Sequence, residues 1–238
     1  MAVRIFLAGA TGAIGRRLVP LLVNAGHSVV GITRSPEKAA ILNDAGADPV
    51  VVDVFDAPAL ARAVKDARPE VVIHQLTDLP HGLDPAKMVR ARVRNARIRS
   101  EGTRNLVEAA LAAGAKRLIA QSIAWGYAGG LEPHREDDPL DLVGLQTVTM
   151  QGVAALEDLT LNSPSLEGVV LRYGQIYGSG TGSNRRGSVP LHVDAAAYAA
   201  FLALEHGDLG IYNIAEDCSY LSSEKARNLL GWSPEFRI

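Results

Sequence analysis

The chain has 238 residues, of which 47% are hydrophobic, and its formal net charge is −2. This length predicts one α/β domain, with room for at most a small additional lobe. The nearly balanced charge provides no global field that would recruit nucleic acid or an anionic membrane, so neither is expected as a partner. Cys218 is the only cysteine, which excludes an intrachain disulfide and a cysteine-rich metal site.

The apolar segments are too short for targeting or membrane insertion. The N-terminal segment is interrupted at Gly9, too early for a secretory signal, and no apolar run approaches the ~20 residues of a membrane span. We therefore expect a cytoplasmic protein. No two histidines have a metal-binding spacing, so no metal site is expected. His74, at the end of an apolar run, is predicted to pack in the core.

Short apolar runs alternate with helical patterns through the first two thirds of the chain. Strands are predicted at residues 3–8, 28–33, 49–53, 71–75, 117–122 and 166–172. Helices are predicted between them at residues 13–25, 36–44, 57–66, 86–113 and 145–161. Strands of continuous Val, Ile and Leu joined by helices are typical of a parallel sheet covered on both faces. The predicted fold class is therefore a doubly wound α/β sheet.

The composition changes after Arg172. Residues 178–187 (GSGTGSNRRG) form a predicted loop, followed by a helix at 194–204, a strand at 210–214 and a short helix at 223–230. We predict one domain over residues 1–238, with a core at about 1–175 and a small C-terminal lobe at about 176–238.

The first strand is followed by GATGAIG, with glycines at positions 9, 12 and 15. The first N–H groups of a helix lack partners and carry partial positive charge, so a glycine-rich turn into a helix is suited to bind phosphates. No lysine follows in the manner of a P-loop. The spacing predicts a dinucleotide site, and a tight strand-to-helix turn without a ligand is the alternative.

The end of the second strand bears on which dinucleotide is bound. A carboxylate there would favour NAD, whereas Arg34, with Lys38 one turn later, suits the additional phosphate of NADP. A solvated Arg34 is the alternative. Asp53, at the end of the third strand, would accept from the adenine amino group or cap the following turn. NADP(H) is the predicted cofactor, with NAD(H) as the alternative.

Several segments together resemble a known superfamily. They are GATGAIG, VVDVFD, EGTRNLVEAALAAG, AQSIAWGY, LRYGQIYG and HVDAAA. In this order they are similar to the extended or atypical short-chain dehydrogenase/reductases, and most to the NAD-dependent epimerase/dehydratase-like branch. The resemblance covers essentially the whole chain. It implies a Rossmann-like fold, a nicotinamide cofactor and an oxidoreductase activity.

The resemblance also implies roles for individual residues. The pyrophosphate would lie on the turn formed by Gly9, Thr11, Gly12, Ala13, Ile14 and Gly15. Asp53 and Val54 would frame the adenine. The ribose and nicotinamide would be lined by Gln75, Leu76, Thr77, Tyr173, Gly174 and Ile176. Ser122 matches the serine that polarises a substrate carbonyl or hydroxyl.

One departure from the superfamily concerns the Tyr-x-x-x-Lys helix that follows the serine. The matching positions are Thr149 and Val153, and no lysine occurs between Lys116 and Lys225. A threonine hydroxyl is a poor acid at neutral pH, and valine cannot lower a neighbouring pKa. Part of the usual apparatus for proton transfer is therefore absent.

Another proton donor would have to act with Ser122. The candidates are Tyr127 and Tyr177, with His134 and His192 as weaker ones, and water is the alternative donor. We predict an NADP(H)-dependent reductase of a carbonyl, or another polarised double bond, on a small organic substrate. A redox-sensing regulator that binds the cofactor without turnover and an NAD-dependent sugar-nucleotide epimerase are the alternatives.

Two surface features complete the predictions. The segments after residue 178 are shorter than is usual in this branch. This implies an open or shallow pocket, or one completed by another subunit, and it weakens the epimerase alternative. The helix MVRARVRNARIRSEGTRN carries many arginines without interleaved aromatic residues. A solvated or dimer-facing surface, with some cofactor contact, is therefore favoured over nucleic-acid binding. The superfamily often pairs through this region, and a homodimer is therefore expected.

Overall fold

The computed structural model describes residues 2–80 and 84–238. In chain order, the first six strands are β1 (Arg4–Ala8), β2 (Ser28–Thr33), β3 (Asp48–Val51), β4 (Val71–His74), β5 (Arg117–Ile123) and β6 (Glu167–Tyr173). They are followed by β7 (Gln175–Tyr177), β8 (Pro190–His192) and β9 (Gly210–Ile214). Seven strands pair in parallel in the order β3-β2-β1-β4-β5-β6-β9, and β7 pairs with β8 in a separate small sheet.

The main sheet is covered on both faces. The helices are α1 (Gly15–Asn24), α2 (Ala39–Asp44), α3 (Ala57–Ala67), α4 (Pro85–Arg97), α5 (Thr103–Ala112), α6 (Thr147–Leu161) and α7 (Val193–Leu202). On β1, Ile5 and Leu7 pack in the cluster that contains α1 and α7, whereas Phe6 and Ala8 pack with α3 and α5. The predicted doubly wound parallel sheet is confirmed. No helix in the described ranges is long and apolar enough to cross a membrane.

The long helix predicted at residues 86–113 is interrupted. The segment Ile98–Gly102 has the wider π-helical turn between α4 and α5. Inside it, the Ser100 hydroxyl donates to the Ala96 carbonyl at 3.0 Å. Such a bond from a serine to the preceding turn competes with regular helix hydrogen bonds and loosens the helix locally.

The C-terminal part contributes to both the main sheet and its helical cover. β9 extends the main sheet beside β6, and α7 packs against α1. The indole Nε1 of Trp232 donates to the Ala195 carbonyl of α7 at 2.9 Å. The strands β7 and β8 were not predicted, since three residues are too few to show a period in sequence.

Candidate cofactor and substrate site

The candidate site lies at the carboxyl ends of the parallel strands, around the junction of β1 with β4. β2 and β3 extend the sheet on one side of β1, and β4, β5 and β6 extend it on the other. In open α/β sheets, the connections diverge at such a point and leave a crevice in which ligands bind. The predicted cofactor turn follows β1 directly.

Two glycines are required by the geometry of this turn. Gly9 has φ +93°, and a Cβ on it would lie 2.6 Å from the carbonyl carbon of Gln75. A Cβ on Gly15 would lie 2.2 Å from the Gly9 carbonyl oxygen. Gly12, in contrast, is exposed at the outside of the turn. The tight packing of Gly9 and Gly15 thus leaves the backbone near Gly12 accessible.

The turn has the donors that a pyrophosphate requires. The amides of Ala13 and Ile14 donate to no acceptor in residues 2–80 and 84–238, and the first turn of α1 contains no acidic residue. Arg16 stabilises the turn by donating from Nε to the Thr11 carbonyl at 3.0 Å. Unpaired amides at the start of a helix are an anion site, so these residues fit the phosphates of a dinucleotide.

The residues predicted to select the adenosine end lie at the other side of the turn. Arg34 and Lys38 are exposed, and neither side chain has a hydrogen bond or ion pair within the described ranges. The Oδ1 atom of Asp53 accepts from the Phe55 amide at 3.0 Å. One oxygen of Asp53 therefore caps the following turn, while Arg34 and Lys38 are free to meet a phosphate. Val54 is buried.

The end of β4 contains two buried polar side chains. His74 is 1% exposed, as predicted, and its Nε2 lies 3.0 Å from the Thr103 hydroxyl. Burial, with a smaller contribution from the charge of Arg99, lowers the pKa of His74 to about 4. Gln75 donates from Nε2 to the Tyr173 hydroxyl at 3.3 Å. The Gln75 Oε1 is buried without a partner among the described residues.

The remaining residues predicted to line the nicotinamide differ in exposure. Leu76 is half-buried, and Thr77 is exposed at the edge of the crevice. The Tyr173 hydroxyl donates to the Ala196 carbonyl at 3.0 Å, and burial raises its pKa. Gly174 is buried and Ile176 is half-buried. Tyr173 and Gly174 are therefore inaccessible to solvent, whereas Leu76, Thr77 and Ile176 are at least partly accessible.

Ser122 and Tyr127, two of the predicted catalytic residues, belong to a buried polar network. The Ser122 hydroxyl donates to Glu157 Oε1 at 2.7 Å and is 0% exposed. Glu157 also accepts from Arg172, at 2.9 Å and 2.7 Å. The Tyr127 hydroxyl accepts from Arg172 Nη1 at 2.9 Å and donates to Asn213 Oδ1 at 2.6 Å. Both hydroxyls are thus occupied and shielded from solvent.

Tyr177 is in a different environment from these two hydroxyls. It is half-buried, and its hydroxyl donates to Glu216 Oε1 at 2.8 Å. Arg186 contacts the other Glu216 oxygen at 2.6 Å, and the His192 ring lies 5.2 Å from the Tyr177 ring. Burial and the hydrogen bond to Glu216 raise the pKa of Tyr177. Of the three predicted catalytic residues, Tyr177 has the most accessible side chain.

The weaker proton-donor candidate His134 is also inside the protein. It is 3% exposed, its Nδ1 lies 2.9 Å from Asp138 Oδ2, and its ring stacks on Tyr127 at 5.0 Å. These contacts hold the Tyr127 ring in place.

An apolar cluster lies where the proton-transfer helix faces β5. Ile123, at the end of β5, packs with Met150 and Val153 of α6, and Trp125 and Leu140 border them. Thr149 is 7% exposed beside them. The sequence showed that Val153 replaces a lysine, but the contribution of Ile123 was missed, because one more apolar residue at the end of an apolar strand carries no signal of its own.

Comparison with known proteins decides the family. Residues 9–182 match the family described as NAD(P)H-binding. The chain belongs to this family. It therefore binds a nicotinamide dinucleotide, and both NAD and NADP fit.

A relative supports the assignment to oxidoreductases. The NAD(P)H-binding chain is 41% identical over 239 residues to a 3-diazoavenalumate denitrifying reductase from a Streptomyces species. The match covers 90% of this chain and 76% of the relative. The NAD(P)H-binding chain is an oxidoreductase, as the sequence predicted.

Solved structures agree with the fold. A UDP-glucose 4-epimerase from Thermotoga maritima has a TM-score of 0.78 at 22% identity, over 98% of this chain and 94% of the other. The enzyme of the same name from Thermus thermophilus, in complex with NAD, has a TM-score of 0.78 at 21% identity, over 99% and 95%. These structures confirm the predicted Rossmann-like fold.

One side chain differs from its prediction in a way that matters for this site. The arginines of the α4 region were expected at a solvated or dimer-facing surface, but Arg99 is only 5% exposed. The prediction is wrong for Arg99, because the π-helical turn places it at the interface with α6. The neighbouring Ile98, also buried, is the signal in the sequence that marks this turn as inward-facing.

Proposed function

We propose that this oxidoreductase transfers hydride to a small organic substrate without a tyrosine–lysine pair. The apolar cluster of Ile123, Met150 and Val153 carries the proposal, since it occupies the position where that pair would act. The bound cofactor supplies the hydride, and the apolar side chains would exclude water from the reacting carbon. Reactions that need no proton from the protein are favoured by such a surface.

Reduction of a diazonium group is a reaction of this type. The C–H bond forms with the electron pair of the hydride, the C–N bond breaks, and its electron pair leaves with neutral N2. No proton is transferred, so neither Thr149 nor Val153 would need to act as an acid. The name of the Streptomyces relative describes a diazo substrate and loss of nitrogen. We propose a diazonium compound as the first substrate class to test.

Reduction of a carbonyl, or of another polarised double bond, is the second candidate. Tyr177 favours it, because its hydroxyl is only half-buried. General acid catalysis contributes about 10²–10⁴-fold, so the raised pKa of Tyr177 would slow but not prevent turnover. Ser122 and Tyr127 stay predicted catalytic residues, and in this structure their hydroxyls donate elsewhere.

We propose NADP(H) as the preferred cofactor. Arg34 and Lys38 support this preference, since both are exposed cations without a partner in residues 2–80 and 84–238. A guanidinium forms paired hydrogen bonds with a phosphate. The predicted contacts of Asp53 with adenine, and of Gln75, Leu76 and Thr77 with the ribose, belong to the same proposal.

The activity is tested with deuterium-labelled cofactor. Purified protein is mixed with [4-²H]NADPH and either 4-carboxybenzenediazonium or 4-carboxybenzaldehyde, and the products are analysed by mass spectrometry. We expect deuterium on the ring carbon that lost N2. The label should come from only one of the two hydrogen positions at C4 of the NADPH nicotinamide. Heat-denatured protein is the control, because diazonium salts are also reduced without an enzyme.

The outcomes separate the alternatives. Bound cofactor with no labelled product from any substrate, and with a co-purifying partner protein, would favour the redox-sensing regulator. Tightly retained NAD without net consumption would favour the epimerase. Label from the aldehyde alone would favour the carbonyl reductase.

We also propose a cytoplasmic homodimer. The exposed valines of α4, Val89 at 73% and Val93 at 58%, support pairing, together with Val148 of α6 at 49%. Light scattering of wild-type protein and Val93→Glu tests the pairing: a monomeric wild type would contradict it. Cell fractionation tests the location.

A further inference from the structure

Arg99 is a buried cation at the junction of α4 and α5. It is 5% exposed, in the π-helical turn between α4 and α5. Its guanidinium has no hydrogen bond and no ion pair within the described residues. Burial lowers the pKa of Arg99, against the opposing effect of Glu157, to about 10, so the side chain is charged at neutral pH. The Arg99 nitrogens are not among the fully buried polar atoms of the described residues, so a ligand can reach them. A mostly buried charge without a protein partner is costly, and a partner from outside the chain would complete the site.

The surrounding charges do not compensate Arg99. Glu157 is the nearby carboxylate, but both of its oxygens already accept from Arg172. His74 is neutral at physiological pH because of its low pKa. The group of Arg99, Arg172 and Glu157 therefore carries a net positive charge inside the protein. An anion from outside the chain would balance it.

The position of Arg99 points toward the crevice. α4 and α6 both follow strands of the parallel sheet, and a Cβ on Gly152 of α6 would lie 2.9 Å from the Cα of Ala96. Helical side chains lean toward the helix N-terminus, which here is the carboxyl edge of the sheet. The charge of Arg99 interacts with Glu157 of α6, one helical turn after Val153, and with His74 at the end of β4.

The anion is not the pyrophosphate of the cofactor. The amides of the glycine turn begin α1, which packs on the face of the sheet shared with α7. Arg99 lies on the opposite face, with α5 and α6. A developing oxyanion would not suffice either, because it exists only during turnover, whereas the positive charge is present in the resting protein.

We propose that Arg99 binds a carboxylate of the substrate. This inference rests on the proposed function, and it adds that the substrate of the reductase is an acid. The guanidinium fork matches a carboxylate, and the neighbouring cluster of Ile123, Met150 and Val153 suits an apolar or aromatic body. Arg99 thus determines substrate specificity, with no role in proton transfer.

Binding is measured by calorimetry, with benzoate and cinnamate as probes and their neutral amides as controls, in the presence of NADP⁺. We expect the acids to bind wild-type protein more tightly than the amides. Arg99→Gln should weaken the acids by about 10- to 100-fold and leave the amides unchanged. Arg92→Gln, an exposed position of α4, is the matched control and should bind like wild type.

Kinetics and stability provide separate readouts. With 4-carboxybenzenediazonium, Arg99→Gln should raise KM with little change in kcat, and with the methyl ester it should change neither. In the absence of ligand, Arg99→Gln should melt at the same temperature as wild type or higher, because it removes an uncompensated charge. A residue with only a structural role would lower the melting temperature.

Equal binding of acids and amides by wild-type protein would overturn the proposal, and so would unchanged acid binding by Arg99→Gln. Absence of saturable acid binding below about 10 mM would also overturn it. The wild-type comparison needs no substitution, so it holds even if Arg99→Gln fails to fold. NADPH binding is measured alongside by fluorescence. If the wild-type protein does not bind NADPH, the proposed function is contradicted rather than the role of Arg99.

Discussion

The two sides of the crevice use their polar groups in opposite ways. On the cofactor side, the amides of Ala13 and Ile14 and the cations Arg34 and Lys38 are left without partners among the described residues, ready for a ligand. On the substrate side, Ser122 donates to a buried glutamate and the surface is apolar. The protein has kept what is needed to bind a hydride donor and has redirected its hydroxyls to internal contacts.

This difference separates the part of the molecule that binds the cofactor from the part where proton transfer would take place. In the cofactor half, the tight packing of Gly9 and Gly15 holds the residues at the loop surface in place. In the β5–α6 half, polar residues hold the structure and apolar residues line the site. An enzyme of this kind is suited to substrates whose reduction needs little proton assistance, with Arg99 as the polar contact that selects among them.

The largest expected effect comes from breaking the substrate-side network. Glu157→Gln leaves Arg172 buried without its counter-ion, and breaking a buried pair in this way costs about 3–5 kcal/mol. Urea unfolding measures the loss. The double variant Glu157→Leu/Arg172→Met should recover much of it, since no charge is then left unpaired. A double variant no more stable than the single one would contradict this account.

His74 provides the next largest effect, through pH. Its pKa is about 4 in the folded protein, against 6.5 for an exposed histidine. Between these values the unfolded chain binds the proton first, so stability falls as the pH falls from 6.5 to 4, by about 3 kcal/mol in total. In urea unfolding at several pH values, the free energy of unfolding should depend less steeply on pH for His74→Gln than for the wild-type protein. Parallel curves for the two proteins would be inconsistent with a buried neutral His74.

Arg34 tests the cofactor side of the comparison. Arg34→Ala should weaken NADPH binding by about 10- to 100-fold, the value of hydrogen bonds to a charged group, and change NADH binding little. Fluorescence titration measures both affinities, and Lys38→Ala shows whether the second cation shares the role. Equal losses for the two cofactors would remove the argument for NADP(H).

Ser122 should give the smallest effect on turnover. Ser122→Ala removes the hydrogen bond to Glu157 and should lower stability by about 1–3 kcal/mol. We expect kcat to change less than about threefold. Removal of an oxyanion-stabilising donor costs about 10²–10³-fold in kcat, so a loss of that size would support the predicted catalytic role of Ser122.

The sequence predicted the parts of the molecule that depend on local patterns. The strands and the glycine turn follow from apolar periodicity and spacing, and the absence of the tyrosine–lysine pair is visible at Thr149 and Val153. The buried network could not be predicted, since Tyr127 and Asn213 are 86 positions apart. The burial of Arg99 depends on the irregular turn near Ser100, which composition does not reveal.

The placement of β9 has a consequence for biosynthesis. Because β9 is the outer neighbour of β6, the ribosome must translate past residue 214 before the central sheet is complete. Until then, the backbone of β6 presents an unpaired edge, to which nascent or misfolded chains can add. Any shortened version of this protein that ends before Gly210 is therefore expected to aggregate, even though it retains every residue of the dinucleotide turn.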